Sequence, residues 1–260
     1  MPSDYWKERM AKSQLNMFKK SRLAINRQLG KHYRNLASQV IYDYMATYDK
    51  LLNTIAEGNK PNVSDLMKLQ KYWDMQSSLD ESFRRFGNKH IKLLTSYFKQ
   101  HYSGVYNSIN IEGLKAFNTI DEKAISQVIN QIWCSDGKGW SQRIWENVEY
   151  LKKTLNEGLI HCVVTGRSQQ DLKKELRERF NVSYTQADSL VRTELSHIQT
   201  QAAKQRYRDY GIEQMEVLAD EDERRCKICG KLHGKVVSIN DPMPVPAHPR
   251  CRCTMIPVIK

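Results

Sequence analysis

Apolar side chains recur every three or four positions through two long stretches of the N-terminal half that contain almost no glycine or proline. This spacing places them on one face of a helix, and the lack of helix breakers allows many turns. Glycine and proline interrupt the pattern near residues 57–62, and the next glycine is Gly87. The two apolar stripes are Leu36, Val40, Tyr44, Tyr48, Leu51 and Ile55, and then Leu66, Leu69, Trp73, Gln76, Leu79, Phe83, Phe86, His90, Leu94 and Tyr97. We therefore expect long helices over residues 31–103, packed as an antiparallel hairpin or bundle.

The first thirty residues form a basic amphipathic arm. They hold seven Lys or Arg against two acidic residues, with apolar residues at helical spacing. The apolar spacing favours docking against a partner protein, with packing in the chain's own core as the next interpretation. The basic residues are candidate contacts to DNA or to a partner: Lys7, Arg9, Lys12, Lys19, Lys20, Arg22 and Arg27.

The second half begins after residues 103–118, which are rich in Gly, Ser and Asn and mark a candidate boundary. We expect a helical N-terminal region at residues 1–118 and a second domain at residues 119–260. In the second domain, further helices are predicted over residues 140–162, over 172–180, and from Ser183 to Gly211.

Beyond Gly211 the helical periodicity ends and short strands are predicted at residues 214–219, 235–239 and 254–259. The fold class is therefore mainly α with a small α+β C-terminal domain that contains a short antiparallel sheet. A sheet of this size has too little core of its own and needs another source of stability.

We expect a cluster of soft metal ligands to provide this additional stability. Cys226 and Cys229 are separated by two residues and followed by glycine, a pattern that wraps two thiolates around zinc. About twenty residues later come His248, Cys251 and Cys253. A closed structural zinc site takes four ligands, so four of these five residues are expected to bind. Cys226, Cys229 and His248 are favoured, and the choice between Cys251 and Cys253 stays open. The sequence predicts a structural Zn²⁺ that holds residues 214–260 together.

The alternative for these cysteines is a pair of disulfides or buried thiols. The N-terminal sequence has no apolar signal region, and no apolar run is long enough to span a membrane. We therefore expect a chain that is neither exported nor inserted into a membrane, with thiols that stay reduced. This setting favours metal over disulfide.

The helix predicted from Ser183 contains one unusual carboxylate. Glu194 falls on the apolar stripe formed by Ala187, Val191, Ile198 and Ala202. A buried charge needs a partner, so Glu194 is expected to hold an arginine or backbone amides from elsewhere. Arg192 points to a different face of the helix. Both residues are interpreted as structural polar groups.

The chain is strongly basic, with 41 Lys and Arg against 29 Asp and Glu and a formal charge of +12. This balance favours a polyanionic partner such as nucleic acid, although a solvated basic surface explains it too.

Several of these segments together resemble the phage head morphogenesis family, the minor head proteins similar to the F protein of phage Mu. The segments are the Trp140–Trp145 stretch, the helix containing Val191–Glu194, the run from residue 220 through Gly234, and His248–Cys253. The resemblance covers roughly residues 140–257.

This resemblance implies a structural minor capsid protein of a tailed bacteriophage rather than an enzyme. Its implied partners are the portal protein, a major capsid or scaffolding protein, and DNA bound without sequence preference during packaging or ejection. The implied location is the capsid interior or portal vertex, after assembly in the host cytoplasm.

Two other functions must be weighed. In a zinc-associated nuclease, His233 or His248 would act as a base with Glu194 or Asp220 assisting. The sequence lacks the usual hydrolase motifs, and a zinc ion with four protein ligands leaves no position for water. A zinc-stabilised nucleic-acid-binding protein explains charge and metal, but the ligand spacing departs from that of zinc fingers.

Overall fold

The structure is a computed structural model that describes residues 3–54, 62–111, 113–114, 120–219 and 225–259, with side chains from Trp6 onward. Within these residues the mainly α class with a small C-terminal antiparallel sheet is confirmed. None of the described helices is long and apolar enough to cross a membrane. The helices are α1 (Ser3–Thr54), α2 (Val63–Lys68), α3 (Gln70–Ser108), α4 (Glu122–Asn130), α5 (Trp140–Thr165), α6 (Gln169–Asp209) and α7 (Lys227–Leu232), and the strands are β1 (Gln214–Leu218), β2 (Val236–Ser238) and β3 (Thr254–Pro257).

The predicted N-terminal arm is not a separate element, because α1 continues without a break from Ser3 to Thr54. Met10, Ile25 and Leu29 are buried within the chain itself. Docking of these three side chains on a partner was therefore the wrong interpretation, and packing in the chain's own core is the correct one. Leu15, by contrast, stays 40% exposed.

The first predicted stripe is buried from Leu36 to Leu51, and Ile55 lies outside the described residues. The predicted burial of the second stripe is only partly correct. Trp73 is 51% exposed, whereas Tyr72 and Met75 are buried. The chain leaves α2 at Leu69, an extended C-cap, and α3 begins afresh at Gln70, so helical spacing does not carry over from one helix to the other.

The two helices predicted over 172–180 and from Ser183 are one helix, α6. Asn and Ser near residues 181–183 are weak helix formers. Tertiary contacts override that preference, because Ser183 is buried and its hydroxyl lies 3.1 Å from the Tyr33 hydroxyl. Asn147 adds a hydrogen bond to the Ser183 carbonyl oxygen at 3.1 Å.

The end of α6 and the start of the sheet follow the predicted pattern. Gly211 adopts a positive φ of 74°, and the amides of Gly211 and Ile212 donate to the carbonyls of Arg208 and Tyr207. These two bonds form the motif with which many helices end, so glycine suits this position. The three strands then lie within two residues of their predicted bounds. β1 is central, with antiparallel partners β2 and β3 on either side.

The chain forms two compact units, each built from separate segments. The first unit contains Met1–Asn26, Leu93–Trp140 and Asp188–Lys260, and the second contains Arg27–Lys92 and Ser141–Ala187. The predicted division at residue 118 stays a prediction, and both of its halves contribute to each unit. Helix α3 extends to Ser108, past the helix end expected at residue 103.

Candidate metal centre

The first ligand pair is shaped by the short helix α7. Cys226 is its N-cap residue, with extended backbone, and its Sγ accepts the amide of Cys229 at 3.4 Å. The carbonyl of Cys226 accepts the amide of Gly230 at 2.9 Å. These bonds turn the chain tightly enough to bring both sulfurs to the same side, as the spacing of two residues predicts.

The second ligand group lies on a tight turn that precedes β3. The amide of Cys251 donates to the carbonyl of His248 at 3.1 Å, and Arg250 has a φ of 62°. Proline at the second position of a four-residue turn and a positive φ at the third are features of type II turns. Arg250 thus adopts a backbone conformation with positive φ, a position that glycine usually occupies. The turn brings His248 and Cys251 toward the first pair.

The structure brings all five predicted ligands together in two overlapping groups. Cys226, Cys229 and His248 form one group, and Cys229, Cys251 and Cys253 form the other, with potential ligand atoms in each group within 4.8 Å of one another. Cys229, shared by both, is buried, as are Cys251 and Cys253. These clusters could hold a metal ion. Which of the five residues bind it stays a prediction.

The distance between two of the sulfurs suits a tetrahedral ion, whereas the His248 nitrogen lies closer to the sulfurs than a tetrahedral site would place it. The Sγ atoms of Cys229 and Cys251 are 3.8 Å apart, and the His248 Nε2 lies 3.0 Å from Cys229 Sγ and 3.3 Å from Cys226 Sγ. Typical zinc bond lengths place two tetrahedral sulfurs about 3.8 Å apart, and a sulfur and a nitrogen about 3.5 Å apart. Thiolate and imidazole are also the donors that zinc prefers, so the residues present fit this ion. In the described part of the chain, these cysteines are not joined by disulfides.

The His248 ring is oriented by its own backbone neighbour. Its Nδ1 lies 2.8 Å from the carbonyl oxygen of Pro249, which can only accept, so Nδ1 carries the proton and donates. In the neutral ring Nε2 then keeps its lone pair, facing the sulfurs. Burial opposes the imidazolium form, but the Pro249 carbonyl and the thiols of Cys251 and Cys226 raise the pKa of His248.

Hydrogen bonds within the cluster separate the thiols into two kinds. A bond from Cys253 lowers the pKa of Cys251 to about 5, and the amide of Cys229 lowers the pKa of Cys226. Burial raises the pKa of Cys229 to about 12, and the bond to Cys251 raises the pKa of Cys253. Thiolate is the form of cysteine that binds metal, so metal binding releases the protons of the ligand thiols.

Helix α6 anchors the second ligand group, a contact that sequence reasoning missed. The amide of Arg250 donates to the Thr193 hydroxyl at 3.1 Å, and its Nε donates to the Ser189 hydroxyl at 3.0 Å. These partners lie about sixty positions away in the sequence, and nothing in the local pattern pairs them. The candidate centre is thereby fixed to the longest helix of the second half.

Glu194 is buried, as predicted, and its carboxylate is bound by an indole. The Trp133 indole nitrogen donates to Glu194 Oε2 at 3.0 Å, and the Trp133 ring stacks on His197 with centroids 4.5 Å apart. Arg192 is only partly exposed, and its Nε is buried with no hydrogen-bond partner among the described residues. A structural role for Glu194 and Arg192 stays a prediction.

The predicted basic contacts of the arm differ in how firmly they are held. Lys7 forms an ion pair with Glu216 at 2.7 Å, and Arg22 forms one with Asp188 at 3.3 Å. Arg9 lies over the ring of Trp6 at 5.2 Å from its centroid. The remaining residues are exposed and available for contacts: Lys12, Lys19, Lys20 and Arg27.

The side chains proposed for a nuclease have other partners. His233 Nδ1 accepts the amide of Ala219 at 3.2 Å, and His248 faces the cysteines. Glu194 accepts from Trp133, and Asp220 lies outside the described residues.

Comparison with known protein families gives a match for part of the chain. Residues 153–256 match the family described as Phage Mu protein F like protein. The matched segment runs from the middle of α5 into β3 and includes both groups of candidate ligands. No curated protein and no solved structure matches the chain.

Proposed function

We propose, because residues 153–256 of this chain belong to the phage Mu protein F-like family, that the protein is a structural minor head protein of a tailed bacteriophage. In this role it joins the procapsid at the portal vertex and remains in the virion. The single observation that carries the proposal is the family match. It is supported by the position of the candidate metal centre, which lies entirely inside the matched segment.

We propose a structural rather than catalytic task. Support comes from the polar side chains that a hydrolase would use, since Glu194 is bound by the Trp133 indole and His233 accepts a backbone amide. His248 directs Nε2 toward two sulfurs. A group held in this way orders the fold but is poorly placed to activate water.

The proposed metal is a structural Zn²⁺ bound by Cys226, Cys229, His248 and Cys251. Cys251 is preferred over Cys253 because its sulfur lies 3.8 Å from Cys229 Sγ, which is a tetrahedral distance. Cys253 then donates a hydrogen bond to the Cys251 sulfur. When bound, the zinc ion would cross-link the segment between β1 and β2 to the turn before β3. Such a link compensates for the small core of a three-stranded sheet.

The proposed partners are the portal protein, the major capsid or scaffolding protein, and DNA bound without sequence preference. The formal charge of +12 and the exposed lysines of α1 support an electrostatic contact with packaged DNA. Lys7 and Arg22 already have acidic partners within the chain, so Lys12, Lys19, Lys20 and Arg27 are better placed for such contacts.

Assembly of procapsids in the presence and absence of portal protein tests this function. The chain is co-expressed with the portal, major capsid and scaffolding proteins of its phage, and procapsids are separated by sedimentation. We expect the chain to sediment with procapsids only when portal is present. Incorporation without portal would place it elsewhere in the head, and absence from procapsids would overturn the proposal.

A zinc-stabilised nucleic-acid-binding protein is the second candidate, favoured by the charge and by the candidate metal centre. It predicts affinity that differs strongly between DNA sequences. A head protein that contacts packaged DNA should instead bind all sequences alike, with affinity that falls steeply as salt rises. A zinc-associated nuclease would cut DNA during the same titrations.

A further inference from the structure

Several arginines crowd around a single turn of α6. Arg22 of α1 reaches Asp188 at 3.3 Å, and Arg250 donates through its side chain to Ser189 and through its backbone to Thr193. Arg192 lies between these positions, one turn after Asp188 and next to Thr193. Three guanidinium groups from distant parts of the sequence therefore meet within one turn.

A fourth arginine joins them from the metal-binding segment. The sequence from His248 to Cys253 alternates candidate ligands with arginines, so Arg250 and Arg252 are interleaved with His248, Cys251 and Cys253. Burial lowers the pKa of Arg192, and the charges of Arg22, Arg250 and Arg252 lower it further, whereas Asp188 acts in the opposite direction. We call Arg22, Arg192, Arg250 and Arg252 the arginine cluster.

The cluster has an electrostatic cost that an anion would remove. Like charges repel at short range, and Asp188 already accepts from both Arg22 and Asn26. The Arg192 Nε is buried and has no hydrogen-bond partner among the described residues. A phosphate group would supply the compensating negative charge. Guanidinium groups bind phosphate with paired hydrogen bonds, which lysine cannot reproduce.

The basic surface extends beyond the size of one phosphate. Arg252 also lines a groove of about 690 Å³ together with Lys12 of α1 and with the ion pair between Lys7 and Glu216. Arg252 and Lys12 thus form a row of positive groups that continues from the arginine cluster into this groove, which Glu8 also lines. A linear polyanion can contact such a row at several points, whereas a single ion occupies only one of them.

We propose that the arginine cluster binds the phosphodiester backbone of nucleic acid and that the metal centre holds the cluster in its binding geometry. The second part rests on the zinc ligation proposed above. With zinc bound, His248 and Cys251 fix the turn that carries Arg250 and Arg252 beside Arg192. Without zinc, only the bonds to Ser189 and Thr193 hold this turn against α6.

Fluorescence anisotropy with a mixed-sequence DNA duplex tests the cluster in the full-length, zinc-containing protein. We expect Arg192→Gln and Arg250→Gln each to weaken binding about tenfold, the loss of one charge-assisted contact. Each should also reduce the slope of log affinity against log salt by about one. Arg84→Gln, which removes an exposed arginine from α3 in the second compact unit, is the charge-matched control and should change neither value.

Thermal stability separates a binding role from a structural one. Because Arg192 is surrounded by like charges, Arg192→Gln should leave the melting temperature of the DNA-free protein unchanged or raise it. Arg192→Lys keeps the charge but not the paired hydrogen bonds, so it should restore the salt slope more than the affinity. A fall in melting temperature without loss of DNA affinity would assign Arg192 a structural role and overturn the proposal.

The remaining arms distinguish the sources of phosphate and the role of zinc. Inorganic phosphate at the same phosphate concentration should compete poorly with DNA, and equal competition would indicate a site for a single ion. A chelator should reduce wild-type affinity to the level of Arg250→Gln, and unchanged affinity would refute the coupling to metal.

Variants that bind DNA normally but fail to enter procapsids would point to an acidic protein partner instead. Normal incorporation of DNA-binding-deficient variants leaves the head-protein function intact.

Discussion

The backbone amide of Arg250 donates a hydrogen bond to the hydroxyl of Thr193 at 3.1 Å, linking the segment that carries three candidate metal ligands to helix α6. The Thr193 hydroxyl in turn donates to the carbonyl of Ser189 at 2.8 Å. The proton of the Thr193 hydroxyl therefore points to a carbonyl of the helix, and a lone pair of the same oxygen faces the Arg250 amide. The hydroxyl can act in both bonds at once because it is both donor and acceptor.

Replacing Thr193 by valine should remove this acceptor while keeping the shape of the side chain. The Arg250 amide then loses its partner in a partly buried position, which we expect to cost about 1 to 2 kcal/mol of stability. Zinc affinity should fall as well, because the turn between His248 and Cys251 is held less firmly. Chemical denaturation and competition with a zinc chelator measure the two effects.

Thr200→Val is the matched control for this substitution. Thr200 is buried on the same helix, and its hydroxyl donates to the Ser196 carbonyl in the same way, at 3.0 Å. No hydrogen bond from the metal-binding segment to Thr200 occurs among the described residues. An equal loss of zinc affinity in both variants would show that the bond between Thr193 and Arg250 is unimportant for the metal centre.

Removal of a metal ligand should unfold the C-terminal sheet and spare the long helices. Cys226→Ser, or chelation of the wild-type protein, should abolish amide protection in β1, β2 and β3, because metal binding supplies folding free energy to such small modules. Far-UV circular dichroism should change little, since most of the described residues are helical. Hydrogen exchange resolved by peptide makes this measurement.

The control for that experiment is Cys134→Ser, which removes a thiol outside the ligand clusters. It should leave the zinc content and the protection of the sheet unchanged. Comparing Cys251→Ser with Cys253→Ser then decides the fourth ligand, because only the true ligand should alter the thiolate-to-metal absorption of the cobalt-substituted protein. A Cys226→Ser protein with full sheet protection and no metal would refute the stabilising role.

The sequence predicted local features well and distant contacts poorly. The strands were placed within two residues, because β-branched residues and turns are local signals. The five candidate ligands meet as their spacing suggested. Where helical spacing was extended across the break at Leu69, the prediction of the buried face failed at Trp73.

Contacts between distant segments could not be found from periodicity. Glu194 was predicted to need a buried partner, since its position on an apolar stripe is a local signal. One such partner, Trp133, lies 61 positions earlier in a segment with no regular pattern. The arginine cluster could not be found from periodicity either, because only the tertiary fold brings Arg22 and Arg250 to one turn of α6.

The bond between Trp133 and Glu194 should contribute measurably to stability. Glu194→Ala leaves the indole N–H without its described acceptor and should cost about 1 to 3 kcal/mol, a typical loss for a partly buried bond to a charged group. Glu194→Gln keeps an acceptor and should cost less. Urea unfolding of both variants, combined with Trp133→Phe in a double-mutant cycle, isolates the pairwise energy. A coupling energy near zero would show that the two residues stabilise the fold independently.

Gly87 in α3 should be intolerant of the smallest side chain. A Cβ atom at this position would lie 2.4 Å from the ring of Trp145, far inside van der Waals contact. Glycine to alanine in a helix ordinarily stabilises by about 1 kcal/mol. Here we expect overpacking to reverse the sign and to cost about 1 to 3 kcal/mol.

Gly30→Ala in α1 is the control for the steric argument. There the nearest atom to an added Cβ is the end of the Arg34 side chain, at 3.2 Å, which can move aside. This variant should be as stable as the wild type or more stable. Equal destabilisation of both variants in thermal melts would attribute the effect to the helix backbone and not to Trp145.

Acid should destabilise the fold through buried histidines. Burial lowers the pKa of His90, His101 and His197 to about 4, and the charge of His32 adds to the effect at His90. In the unfolded chain these groups titrate near 6.5, so between pH 6.5 and 4 the unfolded state binds protons that the folded state does not. Stability from these groups is therefore complete above pH 6.5 and is lost as the pH falls toward 4. At the lower limit each histidine has reduced the stability by on the order of 3 kcal/mol relative to pH values above 6.5.

His90→Phe tests this pH dependence at one position. The His90 ring packs against Tyr33 and Phe86, and neither of its nitrogens has a hydrogen-bond partner among the described residues. Phenylalanine keeps the aromatic contact and removes the titrating group. Urea unfolding across this pH range should show that unfolding takes up one proton fewer than in the wild type. The same slope in both proteins would mean that His90 stays accessible to protons in the folded state.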